Sequence, residues 1–346
     1  RAVDCHLGDP IESEYAEGMR TTAAYRWLVT HAARFGFQPY DREPWHWEYN
    51  PPSPDVGDSD AQGEAVLMAA VGAYREALGP RLVTAYALGS LAHGGFSPLV
   101  SDVDLGLVLT DPVRPSDHET IQAVASGVKG TGSVLHERLS VFWGTPSTLQ
   151  GRVAGGRFPP LDRLDLLENG RLLDGEESRQ GLPRPGRAEL LVAGAEFALD
   201  FLGPGRASPE QASQGLGSLE AARGDTLEEI RRPEVLLARG TRHLTKVVLF
   251  PVRFLYTAAT GEVGTNHAAA DHHRADGRAP AAGLVGAALT WRTAPPADGP
   301  EAAELLGREL VPLYLHYIHD HIARLVALGE LDLAGAFEDW GRRLLA

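Results

Sequence analysis

Two seven-residue apolar runs, Leu82–Leu88 and Val103–Leu109, constrain this chain more than any other feature. Each is bounded by turn residues and reads as a strand. The first runs into Gly89-Ser90. The second is opened by Ser101-Asp102-Val103-Asp104 about a dozen residues later. On a strand, residues i and i+2 face the same side, so Asp102 and Asp104 point together. Two neighbouring carboxylates repel one another unless a cation sits between them. Their hard oxygens suit Mg²⁺, which takes one or two carboxylates together with substrate phosphates. Gly89-Ser90 provides a turn where the backbone can approach a phosphate closely, with a hydroxyl and N–H groups as donors.

Around these strands the pattern is mixed. Glu64–Leu78 reads as a helix ended by Gly79-Pro80, Ser116–Ser126 as a helix N-capped by Ser116, and Val134–Trp143 as a third strand. From Arg187 onward helical periodicity takes over, over Ala188–Leu202, Leu244–Thr260 and Glu301–Leu328. Ala207–Asp225 and Arg274–Gly283 are rich in Gly, Ser and Pro or in small residues and read as loops. Asn50–Gly63 reads as an exposed linker. Before it, Thr21–Arg34 has a helical period that stops at Gly36, and Trp45–Tyr49 alternates with the period of a strand.

Composition narrows the function classes. The 346 residues are enough for two or three domains, and the net charge is −14. That acidity argues against a nucleic-acid scaffold, which needs clustered Lys and Arg. It is densest at the start, where residues 1–60 hold five basic and eleven acidic groups. One cysteine, Cys5, excludes an internal disulfide and a multi-cysteine zinc site. No apolar run is long enough to span a membrane.

The Gly89-Ser90 and Asp102-x-Asp104 arrangement resembles the polymerase-β-like nucleotidyltransferase superfamily. Asp165–Gly175 (DLLENGRLLDG) looks like the strand-and-turn segment of its aminoglycoside nucleotidyltransferase branch, and Lys246–Asp271 like that branch's helix pair. Together these segments place the resemblance over about residues 61–330. It implies transfer of a nucleoside monophosphate, AMP from ATP, to a hydroxyl of a small molecule, aminoglycosides and hence antibiotic resistance included. Asp102 and Asp104 would hold Mg²⁺ and the triphosphate, and Gly89 and Ser90 would meet a phosphate. Nucleotide chemistry of this kind implies the cytoplasm.

Two positions depart from the family pattern. The branch carries a third acidic residue, a base toward the acceptor hydroxyl, where Ser140 stands here. Glu137 falls on the opposite face of the expected strand, whereas His136 shares the face of Ser140 and is a substitute base. The branch also has a phosphate-contacting lysine after its Thr-Gly-Glu turn, where Asn266 stands beside His267. Glu262, in that turn, is either retained for acceptor binding or, the preferred reading, a solvated helix-end charge.

A second constellation lies before the linker. Glu43-Pro44-Trp45-His46 is a Glu-x-x-His unit: Glu43 can act as general base on a zinc-bound water and His46 can ligate zinc. With Ala2-Val3-Asp4 and Phe35-Gly36-Phe37, the stretch resembles the VanY-like zinc D-alanyl-D-alanine carboxypeptidases, which act on cell-wall peptides. The resemblance implies Asp4 and His46 as zinc ligands and Glu43 as the base. Its first histidine ligand would lie seven residues before Asp4, ahead of residue 1. The expectation is therefore a truncated peptidase fragment lacking a third ligand, with His6 and His31 as ordinary residues.

The expected fold class is α+β: a truncated metallopeptidase fragment (1–50), a linker (51–63), a mixed-sheet nucleotidyltransferase domain (64–180) and a helical domain (187–346). Three functions stay open. They are nucleotidyl transfer to a small-molecule hydroxyl, a zinc carboxypeptidase acting on peptidoglycan peptides, and a non-catalytic nucleotide-binding module. His267, His272, His273, His316, His319 and His321 lack metal-site spacing, and the aromatic set Phe250, Phe254, Tyr256, Tyr314 and Tyr317 reads as core.

Overall fold

The computed structural model describes residues 2–4, 18–32, 37–40, 43–49, 59–130, 132–203, 226–297 and 300–346. Cys5, His6, most of the expected linker and the expected loop 207–225 lie outside the described residues. The chain divides into two compact units, Ser53–Glu189 and Arg1–Pro52 with Leu190–Ala346.

The first residues form a three-stranded antiparallel sheet of β1 (Ala2–Asp4), β2 (Phe37–Tyr40) and β3 (Glu43–Tyr49), with β3 in the centre. Helix α1 (Ala23–His31) accompanies it, and Thr22 caps the helix by accepting from the Tyr25 N–H at 3.1 Å. Trp47 is buried edge-on against Tyr25, which gives this sheet a small core of its own.

The unit Ser53–Glu189 begins with α2 (Ser59–Leu78). The helix starts five residues before the expected Glu64, inside the Asp- and Gly-rich stretch that reads as linker. The missing side chain of Gly63 explains this: a Cβ there would overlap Leu91 and Phe96, so the glycine is a packing surface rather than a hinge. β4 (Leu82–Leu88), the single turn α3 (Ser90–His93) and β5 (Val103–Leu109) follow, with both strands at their expected bounds. Helix α4 (Pro115–Lys129) is capped at Arg114 rather than Ser116. Pro115 takes the first helical position, where its missing N–H costs nothing, and Asp117 accepts from the Arg114 N–H at 2.7 Å.

The expected third strand, Val134–Trp143, is instead a single turn, α5 (Val134–Glu137), followed by β6 (Leu139–Gly144). His136 Nδ1 accepts from the Ser133 N–H at 3.2 Å, so the local cap wins over extension. After α6 (Pro146–Leu149) come α7 (Pro160–Asn169) and β7 (Arg171–Gly175). Asp165 thus lies on a helix, not in a strand-and-turn segment.

The four strands form a mixed sheet in the order β6-β5-β4-β7, with β5 and β6 parallel and the other pairs antiparallel. One face, with Ala87, Val103, Leu105, Leu107, Leu139 and Val141, is buried with α2 and α4. The other carries Tyr86, Leu88, Val108 and Phe142. Strand alternation puts Asp104 and Ser140 on this second face. The two central strands are β4 and β5, and covering on both faces is why their sequences are near-continuous apolar runs.

Beyond residue 187 the chain is helical: α8 (Arg187–Phe201), α9 (Thr226–Arg231), α10 (Pro233–Ala238), α11 (Thr241–Thr260), α12 (Asn266–Ala275), α13 (Ala282–Trp291), α14 (Glu301–Leu328) and α15 (Leu331–Leu345). Their core is centred on Tyr314, Tyr317, Phe337 and Trp340, all fully buried. Phe250 and Phe254 pack against it and against Phe197. Buried Glu229 is paired with Arg239 Nε at 3.0 Å and His243 Nε2 at 2.6 Å. Burial pushes its carboxyl up, but His243, Arg239 and Arg20 outweigh that and hold it below the ordinary carboxylate range. No described helix is long and apolar enough to cross a membrane.

Candidate active site

The second face of the mixed sheet gathers the residues of the Gly-Ser and Asp-x-Asp motifs. Leu88 pairs with Asp104 across β4 and β5, and Asp104 pairs with Ser140 across β5 and β6. The end of one central strand, the start of the other and the start of β6 therefore meet at one place. Asp102 and Asp104 are each partly exposed there.

Gly89 is locked into this geometry twice over. Its φ of 60° and ψ of −148° lie in a region that only glycine adopts readily. A Cβ at this position would also overlap Asp104 Oδ2. The Asp104 carboxylate thus rests directly on the backbone of the Gly89-Ser90 turn, and Ser90 opens α3 immediately after it. This juxtaposition of a bare backbone turn and a strand-borne carboxylate follows from the antiparallel pairing of β4 with β5.

Asp165 is a site residue that the motifs do not announce. It is buried, its Oδ2 accepts from the Gly89 N–H at 2.6 Å, and its Oδ1 accepts from Asn169 Nδ2 at 2.9 Å. A carboxylate from α7 therefore anchors the turn from behind, with both oxygens engaged. The signal for it is an acidic residue at an apolar position of an amphipathic helix, between Leu164 and Leu166. In sequence such a residue is indistinguishable from a surface charge. We expect Asp165→Asn to lower stability by about 1–3 kcal/mol and, if the Gly89-Ser90 turn serves a nucleotide, to weaken its binding, because one amide oxygen cannot serve both donors. Adding Asn169→Asp supplies an acceptor for the new amide, and recovery of both readouts in the double variant, followed by thermal unfolding and titration, is the expected result. A merely destabilising role would give two additive losses.

Arg157 is the second addition. Its backbone pairs with Trp143 through hydrogen bonds of 2.9 and 2.7 Å, fixing the loop before α7 to the edge strand β6. Its guanidinium lies 5.0 Å from the Phe142 ring centroid and donates from Nη1 to the Val141 carbonyl at 2.7 Å. Burial pushes the guanidinium pKa down, and the fields of Asp162 and Asp104 partly offset this.

His136 and Glu137 do not share the strand with Ser140. Both lie on the turn α5, so the expectation of His136 as a substitute base on the face of Ser140 is corrected by the helical geometry of 134–137. In the helical unit, Gly261 ends α11 in the left-handed conformation, and Glu262 accepts from Tyr256 Oη at 2.7 Å. Asn266 is the first residue of α12, which Thr265 caps.

The second candidate set lies in the other unit. The register of β1 and β3 puts Asp4 opposite His46, while Glu43 pairs with Tyr40 past an irregularity in β2. Among the described residues no group of three or more His, Cys, Asp or Glu is placed to hold a metal ion.

No family model matches the chain, and no curated protein matches it. Among solved structures, the chain is similar to spectinomycin adenyltransferase AAD(9) from Enterococcus faecialis, determined with ATP and spectinomycin. The identity is 12%, the TM-score is 0.46, and the match covers 82% of this chain and 99% of that one.

Proposed function

We propose that the chain is a nucleotidyltransferase that moves a nucleoside monophosphate, AMP from ATP, onto a hydroxyl of a small molecule. The observation that carries this reading is the packing of the Asp104 carboxylate on the Gly89 backbone, with Asp102 two residues away and Ser90 next in the turn. It supports a site in which donors for phosphate oxygens lie beside acceptors for a divalent cation.

The residues fit Mg²⁺ by their chemistry. Asp104 on β5 and Asp102 just ahead of that strand offer hard oxygens, and the bare Gly89 backbone admits the Asp104 carboxylate where any side chain would displace it. Mg²⁺ bound there would neutralise charge on the phosphates. The chain's own part is positioning. The Gly89-Ser90 turn holds the triphosphate, Asp165 fixes that turn, and the sheet face aligns the acceptor. The acceptor hydroxyl oxygen forms a bond to the α-phosphorus, the bond from that phosphorus to the bridging oxygen breaks, and pyrophosphate leaves. Ser140 is not a base at neutral pH, so the hydroxyl proton passes to solvent.

The test is calorimetric titration of the full chain with MgATP, followed by pyrophosphate release across a panel of hydroxylated small molecules that includes aminoglycosides. Saturable binding with release is the expected result. Binding without release across the panel supports the non-catalytic module instead, and absence of binding overturns both.

The carboxypeptidase reading is favoured by one observation, the opposition of Asp4 and His46 across β1 and β3. A catalytic zinc needs three protein ligands, and the described residues supply no such set. Asp4 and His46 alone are too few to hold a catalytic zinc, and no peptidase step is derived from them.

A further inference from the structure

Arg157 carries an unbalanced charge. Among the described residues its side chain makes one hydrogen bond, from Nη1 to the Val141 carbonyl, and no ion pair within 4.0 Å. It is half-buried and lies over Phe142. A partly desolvated guanidinium is normally matched to a carboxylate or phosphate by its planar fork of donors. Asp162 and Asp104 act on it at longer range only. Nη2 and Nε therefore remain for a ligand.

Its place in the sheet says which ligand. In the order β6-β5-β4-β7, the Gly89-Ser90 turn follows β4, Asp104 belongs to β5 with Asp102 just ahead of it, and Arg157 is bridged to Trp143 of β6. Phe142, which it covers, is two residues beyond Ser140 on the same face, and Ser140 is paired with Asp104. The guanidinium thus lies across the carboxylate pair from the Gly89-Ser90 turn. A triphosphate seated on that turn and on the carboxylates leaves the β6 side to the second substrate.

We propose that Arg157 binds an anionic group of the acceptor, so that the hydroxyl compound modified here bears a phosphate or a carboxylate rather than being a polycation. This rests on the nucleotidyl-transfer reading for the position of the nucleotide, and its test separates the two. Matched pairs of hydroxy compounds, glycerol with glycerol 3-phosphate and glucose with glucose 6-phosphate, are titrated into the full chain with and without MgATP, alongside spectinomycin. The anionic member of each pair binds at least tenfold tighter to the wild-type chain. In Arg157→Gln that preference disappears, while MgATP affinity stays within about twofold. Arg157→Lys retains a reduced preference, because the charge persists without the fork.

Equal binding of neutral and anionic twins by the wild-type chain overturns the proposal without reference to any variant. A preference that persists in Arg157→Gln also overturns it. A tenfold or greater loss of MgATP affinity in Arg157→Gln assigns the guanidinium to the nucleotide phosphates and overturns the acceptor assignment. If the wild-type chain binds no MgATP, the nucleotidyltransferase reading fails. An anion preference that still depends on Arg157 then upholds the anion site by itself.

Discussion

Replacing Asp102 and Asp104 together with asparagine is expected, on the proposed function, to remove measurable MgATP binding, a loss of at least about a hundredfold, and to leave the fold intact. The two effects separate because the carboxylates sit at the partly exposed mouth of the sheet rather than in its core. Asparagine keeps the shape of each side chain, so the β4–β5 pairing that places residue 104 opposite Leu88 is retained. Removing two like charges two residues apart also relieves their mutual repulsion. The expected change in stability is within about 1 kcal/mol in either direction. Calorimetry reads the binding and thermal unfolding reads the fold. Wild-type affinity for MgATP in the double variant would show that the carboxylates are a surface pair and would remove the basis of the proposed function. Loss of binding accompanied by a collapse of the unfolding transition would make them structural instead. The single variants are expected to rank, with Asp104→Asn the more severe, since Asp104 rests directly on the Gly89 turn.

What the sequence made legible follows from how local each signal is. The central strands β4 and β5 were readable to the residue because each is covered on both faces along most of its length and is therefore nearly continuously apolar. The long helix Glu301–Leu328 was readable for the corresponding reason, a sustained helical period ended by a glycine. Errors came where a short polar signal competed with a longer one. Val134–Glu137 has apolar residues compatible with extension, yet the Ser133–His136 cap turns it into a helix, and the inferred face of His136 went with it. Gly63 looked like linker because its packing role is visible only once Leu91 and Phe96 are in place. The motifs singled out Gly89 and Asp104, which the fold brings into contact, whereas they gave no hint of the contacts of Asp165 and Arg157. Their roles depend on contacts 76 residues away for Asp165 and 16 for Arg157, which no spacing rule encodes.

Gly89→Ala is the sharper test, because it introduces no charge change and removes no polar group. Alanine must adopt φ near 60° and ψ near −148°, which costs about 1–3 kcal/mol. Its methyl must also displace Asp104 Oδ2. The strand backbone on either side cannot yield readily, since residue 104 is paired to Leu88 and to Ser140 at once. The cheapest relief is rotation of the Asp104 carboxylate away from the turn. Function therefore falls further than stability does: MgATP affinity is expected to drop by about two orders of magnitude, approaching the double asparagine variant, with a moderate fall in Tm. Gly94→Ala isolates the contribution of strain. Gly94 has φ of 90°, and a Cβ there meets nothing within 4 Å, so its alanine variant carries the backbone cost without the overlap. If both alanine variants lose affinity equally, the overlap with Asp104 is not the cause. If Gly89→Ala binds MgATP as the wild-type chain does, the contact between turn and carboxylate is not part of a nucleotide site. A large loss confined to Gly89→Ala ties the affinity to the position of one carboxylate on one turn.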